Sequence, residues 1–261
     1  MFIFTGPTIS PAEASAELKA VYLPPAAEGD VYRVALHRPQ AIGIIDGYFQ
    51  SVPTVRHKEI LWAMSCGIHV FGSASIGALR AAELLPFGME GVGAVFELYR
   101  DGIFEDDDEV AVAHGPAETG FVSASEAMVN IRQTLRKAER LGIISTELRV
   151  SLESIGKELF YPDRNYSMVL RHALENGSSQ AELTRLQQWL PNHRVNQKRD
   201  DALLMLRVIR RRLRTRAAPE EPFHTLLSRL SCGSLPSRQA GELRFDSNGH
   251  GDSSNTGVAA R

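Results

Sequence analysis

The sequence is poor in cysteine, in aromatic residues and in long apolar runs, and each shortage excludes a class of protein. Two cysteines in 261 residues, Cys66 and Cys232, stand in unrelated contexts, so neither a disulfide framework nor a cysteine-based zinc cluster is expected. No stretch of about 18 apolar residues occurs, which argues against a membrane-spanning helix. The opening "MFIFTGPTIS" is too short and lacks the basic residues of a signal peptide, so a cytoplasmic location is expected. Two nucleotide signatures are missing as well. Gly72 and Gly77 have P-loop spacing, but Ala78 and Leu79 follow where a lysine and a hydroxyl are needed. No G-x-G-x-x-G occurs either, so no nucleotide cofactor is expected.

What remains is an ordinary globular composition, 43% hydrophobic and 23% charged, long enough for a large core. The net charge of −2 hides an asymmetry. Residues 97–109 hold seven acids against one arginine, and residues 185–216 hold ten Lys/Arg against two aspartates. Such segregation suits a docking surface, although solvated faces explain each run taken alone. The Arg-rich "RVIRRRLRTR" has no interleaved aromatics, so nucleic acid is not an expected partner.

Apolar runs alternate with helical patterns over the first 115 residues. "FIFTGPT", "AIGIIDG" (41–47), "IHVFGS" (68–73) and "EVAVAHGP" (109–116) read as strands, with helices over Pro11 to Ala20, "TVRHKEILWAMSCG" and "SIGALRAAEL" between them. Continuous apolar strands separated by helices predict an α/β fold: a Rossmann-like parallel sheet covered on both faces. From Ser123 onward the pattern is helical, and past Ala217 it becomes Gly/Ser/Pro-rich with too little apolar content to order. The expected organisation is an α/β core at 1–122, a helical region at 123–216 and a disordered tail at 217–261.

Ligands of open α/β sheets bind at the carboxyl ends of the strands. The predicted exits carry Gly6 and Thr8, then Asp46 and Gly47, then Ser73 and Ser75, then His114. Ser73-Ala74-Ser75-Ile76-Gly77 matches the nucleophile elbow G-x-S-x-G except at its first glycine. From spacing alone, an N-cap worth on the order of 1 kcal/mol is the simpler role for either serine. His57 and Lys58 fall in the first turn of the following helix, at the same edge, where the histidine is a candidate general base. Arg80 and Glu83 lie three apart on a helix and are expected to pair. "EDDDE" (105–109) lacks spaced metal ligands and reads as a solvated turn, and Cys66 as an inert buried thiol.

Four segments, "HKEIL", "GSASIGALRAAEL" with the following "FGM", "DDDEVAVAHGP" and "SEAMVNIR", together with "GPT" and "DGYF", resemble TfuA-like proteins of trifolitoxin biosynthesis over roughly the first 140 residues. The resemblance implies a partner of YcaO-type enzymes, which activate peptide amides with ATP and, with TfuA, install backbone thioamides in peptides or proteins. It also implies release of sulfide from a thiocarboxylated, ThiS-like sulfur carrier. Under that expectation Ser75 attacks or positions water, His57 or His114 is the base, and Asp46 orients it. Lys58 or Arg80 supplies positive potential, while Gly6, Thr8, Gly47, Ser73 and Gly77 line the substrate. That scheme needs no metal. The competing expectation is a non-catalytic adaptor that binds and activates a YcaO enzyme through its charge-segregated helices.

Overall fold

Alternation along the strands divides the interior into two cores. The computed structural model describes residues 1–48 and 52–215. Its first half runs β1 (Phe2–Phe4), α1 (Pro11–Glu17), β2 (Val21–Leu23), α2 (Asp30–Ala35), β3 (Ala41–Ile44), α3 (His57–Ser65), β4 (His69–Ser73), α4 (Ile76–Leu84), β5 (Glu90–Val92) and α5 (Ala94–Arg100). Five further helices follow: α6 (Met128–Arg140), α7 (Thr146–Glu158), α8 (Tyr166–Glu175), α9 (Gln180–Trp189) and α10 (Gln197–Thr215). All strand pairings are parallel, in the order β2-β1-β3-β4-β5.

Phe4, Ile42, Ile44 and Val70 face α2, α3 and α4, whereas Ile3, Ala41 and Phe71 face α1 and α10. This is the period-two division expected of a sheet buried on both sides, each fully buried aliphatic side chain contributing about 2 kcal/mol. Local chemistry starts the helices. Ser10 accepts from the Glu13 amide ahead of Pro11, and the Glu59 carboxylate accepts from the amides of Gly29, Val31, Tyr32 and Arg56. Glu59 therefore ties the start of α2 to the start of α3.

The α/β class and the parallel sheet are as expected, but one expected strand is missing and two others take its place. Residues 109–116 form no strand: a 3-10 turn at Asp107–Glu109 leads into an irregular segment that only bridges His114 to Ser123. Val110 and Ala111 are buried, Val110 in the cluster that also holds Ile42, Ile44 and Val70, and hydrophobicity alone cannot distinguish such burial from strand pairing. The sheet instead gains β2 and β5, three-residue strands too short to register as periodic. The acidic turn is not solvated as a unit either. Glu109 takes two hydrogen bonds from Arg132 at 2.9 and 3.0 Å, and Lys157 bonds Asp108. Arg164, fully buried, donates to the Asp108 carboxylate and to three backbone carbonyls.

The described residues all lie within one compact unit. Helices α6 to α9 enclose a third apolar cluster, while Ala202, Met205, Leu206 and Ile209 of α10 return to cover the sheet. Among the described residues, no helix is long and apolar enough to cross a membrane. The expected tail and Cys232 lie outside the described residues, and Cys66 is partly buried rather than fully so.

Candidate active site

β1 is flanked by β2 on one side and β3 on the other, so the chain's direction of travel across the sheet reverses there. A crevice opens at the carboxyl ends of strands beside such a reversal. In this molecule the crevice is a cavity of about 240 Å³ lined by Pro7 after β1, Asp46 and Tyr48 after β3, and Ser75 at the start of α4. The irregular segment closes it from above with Asp107 and His114.

Close packing explains the glycines around Ser75. A Cβ on Gly77 would overlap the Ile44 carbonyl oxygen, and one on Gly72 would overlap the Gly77 carbonyl, so α4 begins in direct contact with β3. The sharp turn is real, but its left-handed residue is Ala74 (φ 66°), one position before the serine that the elbow reading favoured. Ser75 is the N-cap residue of α4, 8% exposed, and its side chain makes no capping hydrogen bond. Three amides of this turn are already occupied. The Ser75 N–H donates to the Ser73 carbonyl, Gly77 to Ile45 and Ala78 to Ser75. The positive end of the helix dipole lies at the cavity, whose lining includes Ser75 and Ile76.

His114 has a defined tautomer. Its Nδ1 lies 2.8 Å from the Gly115 carbonyl, which can only accept, so Nδ1 carries the proton and Nε2 is an acceptor in the neutral ring. The rings of Phe121 and Tyr48 lie 5.7 and 6.2 Å away, centroid to centroid. Asp46, 1% exposed, accepts from the Thr8 amide at 3.0 Å and from Thr8 Oγ1 at 2.6 Å. It thereby fixes the β1–α1 loop, with both oxygens engaged by Thr8 rather than by a histidine. Burial and the neighbouring Asp108 and Asp106 charges raise the Asp107 carboxyl above its ordinary range.

Residues 46–165 match the family model described as TfuA-like protein. The chain carries a TfuA-like domain. That family is associated with YcaO-type systems in general. No curated protein matches the chain. The TfuA-like domain contains Asp46, Ser75, Asp107, His114 and Tyr161 of the cavity lining, whereas Pro7 precedes it.

Within the TfuA-like domain the residues singled out from sequence separate into two groups. Ser75, His114, Asp46 and Gly47 line one cavity. His57 does not line it: its Nε2 lies 2.8 Å from Glu83, a partner it shares with Arg80, whose Nη1 donates at 2.6 Å. Arg80 also donates to the Val55 carbonyl, and Lys58 is exposed. His57 and Arg80 thus meet at Glu83 outside the cavity lining, and Lys58 lies beside His57 in the first turn of α3. Ser73 is fully buried and donates to the Val92 carbonyl at 2.7 Å, so it joins β4 to β5. Gly77 serves packing, as described.

Gly6 and Thr8 line a second, larger cavity of about 670 Å³, which shares Pro7 and Val112 with the first. Its wall includes Lys198 of α10, 3% exposed, whose Nζ donates to the Val110 carbonyl at 2.8 Å. Sequence reasoning missed Lys198, because one lysine in a basic helix carries no signal of burial. Tyr48 and Tyr161 were missed too, although Tyr48 stands in the "DGYF" segment. Among the described residues, no group of three or more His, Cys, Asp or Glu side chains is arranged to hold a metal ion.

Proposed function

We propose that this protein supports YcaO-dependent backbone thioamidation of a peptide or protein by hydrolysing a thiocarboxylated, ThiS-like carrier to release sulfide. One observation carries the reading. Ser75 Oγ, free of capping, and His114, with Nε2 as the acceptor nitrogen, line one cavity at the positive end of α4. The family association with YcaO-type systems supplies the context.

In this scheme His114 Nε2 takes the proton of the attacking hydroxyl, from Ser75 or from a water beside it. The oxygen adds to the thiocarboxylate carbon, and negative charge builds on the carbonyl oxygen toward the α4 dipole. The C–S bond then breaks. Overall, thiocarboxylate and water give carboxylate, hydrosulfide and one proton, with no change in oxidation state. If Ser75 attacks, water hydrolyses the acyl-serine in a second step and the sum is unchanged. Asp46 acts as a positioning residue through Thr8.

The test is sulfide release from purified full chain and thiocarboxylated carrier. His114→Gln is expected to slow release by roughly 10²–10⁴-fold, the usual contribution of a general base. Ser75→Ala separates the two routes, since an acyl adduct on wild-type protein requires the hydroxyl. Absence of carrier-dependent sulfide from folded wild-type protein overturns the reading.

The adaptor alternative loses part of its motivation. Arg207 and Arg210 pair with Glu17, Arg199 with Glu13 and Arg212 with Glu90, so much of the basic helix is matched within the molecule. The acidic turn is likewise matched by Arg132, Lys157 and Arg164.

A further inference from the structure

The lining of the larger cavity includes Lys198, whose amine the proposed hydrolysis does not use. Lys198 reaches its wall from the first turn of α10, with its backbone amide held by Asn130 Oδ1 at 3.3 Å. Its side chain is buried, and among the described residues Nζ has one hydrogen-bond partner, the Val110 carbonyl. An ammonium presents three donors and a neutral amine two, so this surrounding suits the amine better than the ion. Burial drives Lys198 below the ordinary lysine range, against the opposing pull of Asp46 and Glu126.

The charged groups around the amine are accounted for. Asp46 is held by Thr8, and Glu126 accepts from Asn130 Nδ2 at 2.8 Å. Glu13 pairs with Arg199, and the Arg194 guanidinium lies over the Tyr166 ring, 4.7 Å from its centroid. Thr8, Arg194 and Tyr166 share the same cavity wall, which is roomy enough for a small organic molecule.

We propose that Lys198 is an amine nucleophile that captures a small aldehyde or ketone in the larger cavity as an imine. The Nζ lone pair adds to the carbonyl carbon, and one amine proton moves to the carbonyl oxygen, giving a carbinolamine. Loss of that hydroxyl with the remaining amine proton leaves C=N and one water. No oxidant or reductant enters, and the step is independent of the hydrolysis proposed for the smaller cavity.

Pyridoxal with cyanoborohydride, applied to the full chain near neutral pH, tests this by trapping imines as stable adducts for peptide mapping. Lys198 is expected to label faster than the exposed Lys19 and Lys58, since a buried amine with one acceptor is held more in the neutral, nucleophilic form. In urea the rates should converge, and Lys198→Arg should lose the fast adduct while leaving Lys58 labelling unchanged. Labelling of native Lys198 at or below the Lys58 rate, including none, overturns the proposal whether or not the protein releases sulfide.

Discussion

Ser75, His114 and Gly77 are separated by what their atoms are free to do. Ser73 and Ser75 look equivalent in the sequence, yet the first hydroxyl is bound to the Val92 carbonyl and the second has no capping role. Substituting Ser73 is therefore expected to weaken the β4–β5 edge by about 1 kcal/mol, read by denaturant unfolding. Ser75→Ala should leave stability within about 0.5 kcal/mol, because no side-chain cap is lost. Gly77→Ala should be much worse. Its Cβ would overlap a backbone oxygen, and a strand cannot yield as a flexible side chain can. A loss of about 3 kcal/mol or more in chemical denaturation is the expected outcome. His114 was legible as a reactive residue but its tautomer was not, since that depends on the Gly115 carbonyl turning toward Nδ1.

At the scale of elements, the decisive piece is the segment that reads as a fourth strand and is not one. Residues 107–114 bring Asp107 and His114 over the cavity because the acidic turn is anchored to α7 and to the buried Arg164. Burial works to raise the Asp108 carboxyl, but hydrogen bonds from Lys157 and Arg164 outweigh it and hold the group below its usual 3.8. A carboxyl lowered in the folded state contributes stability above its unfolded pKa and loses it as pH falls through the folded value. Acid titration followed by circular dichroism should therefore show this contribution fading below about pH 4, and Lys157→Met should move the acid midpoint upward. Arg164→Met removes one of the two donors to the Asp108 carboxylate and a donor to three carbonyls, so a loss of about 3–5 kcal/mol is expected in thermal or denaturant unfolding.

For the whole molecule, the question is whether the helical half stands apart from the sheet. Helix α10 answers it by burying Ala202, Met205, Leu206 and Ile209 against Ile3, Ile45 and Phe71. Leu206→Ala should cost about 2–5 kcal/mol. Tryptophan fluorescence, with Trp62 in α3 and Trp189 in α9, should report the loss in the same transition as far-UV circular dichroism. Two separate transitions would mean that the halves unfold independently. The same helix carries Lys198 to the larger cavity, so core packing and a candidate reactive group depend on one element.

The sequence by itself determined the α/β class, the central strands, the helical second half and the TfuA-like motifs. Those follow from local periodicity, from continuous apolar runs and from residue identities at short spacing. Only the tertiary structure decided which polar residues meet. His57 was drawn from the candidate site to Glu83, Asp46 turned to Thr8 rather than to a histidine, and Lys198 arrived from 152 positions beyond Asp46. Such pairings depend on where loops run and which face a late helix covers. Hydrogen-bond geometry over a few ångströms sets them, and sequence periodicity carries no record of it.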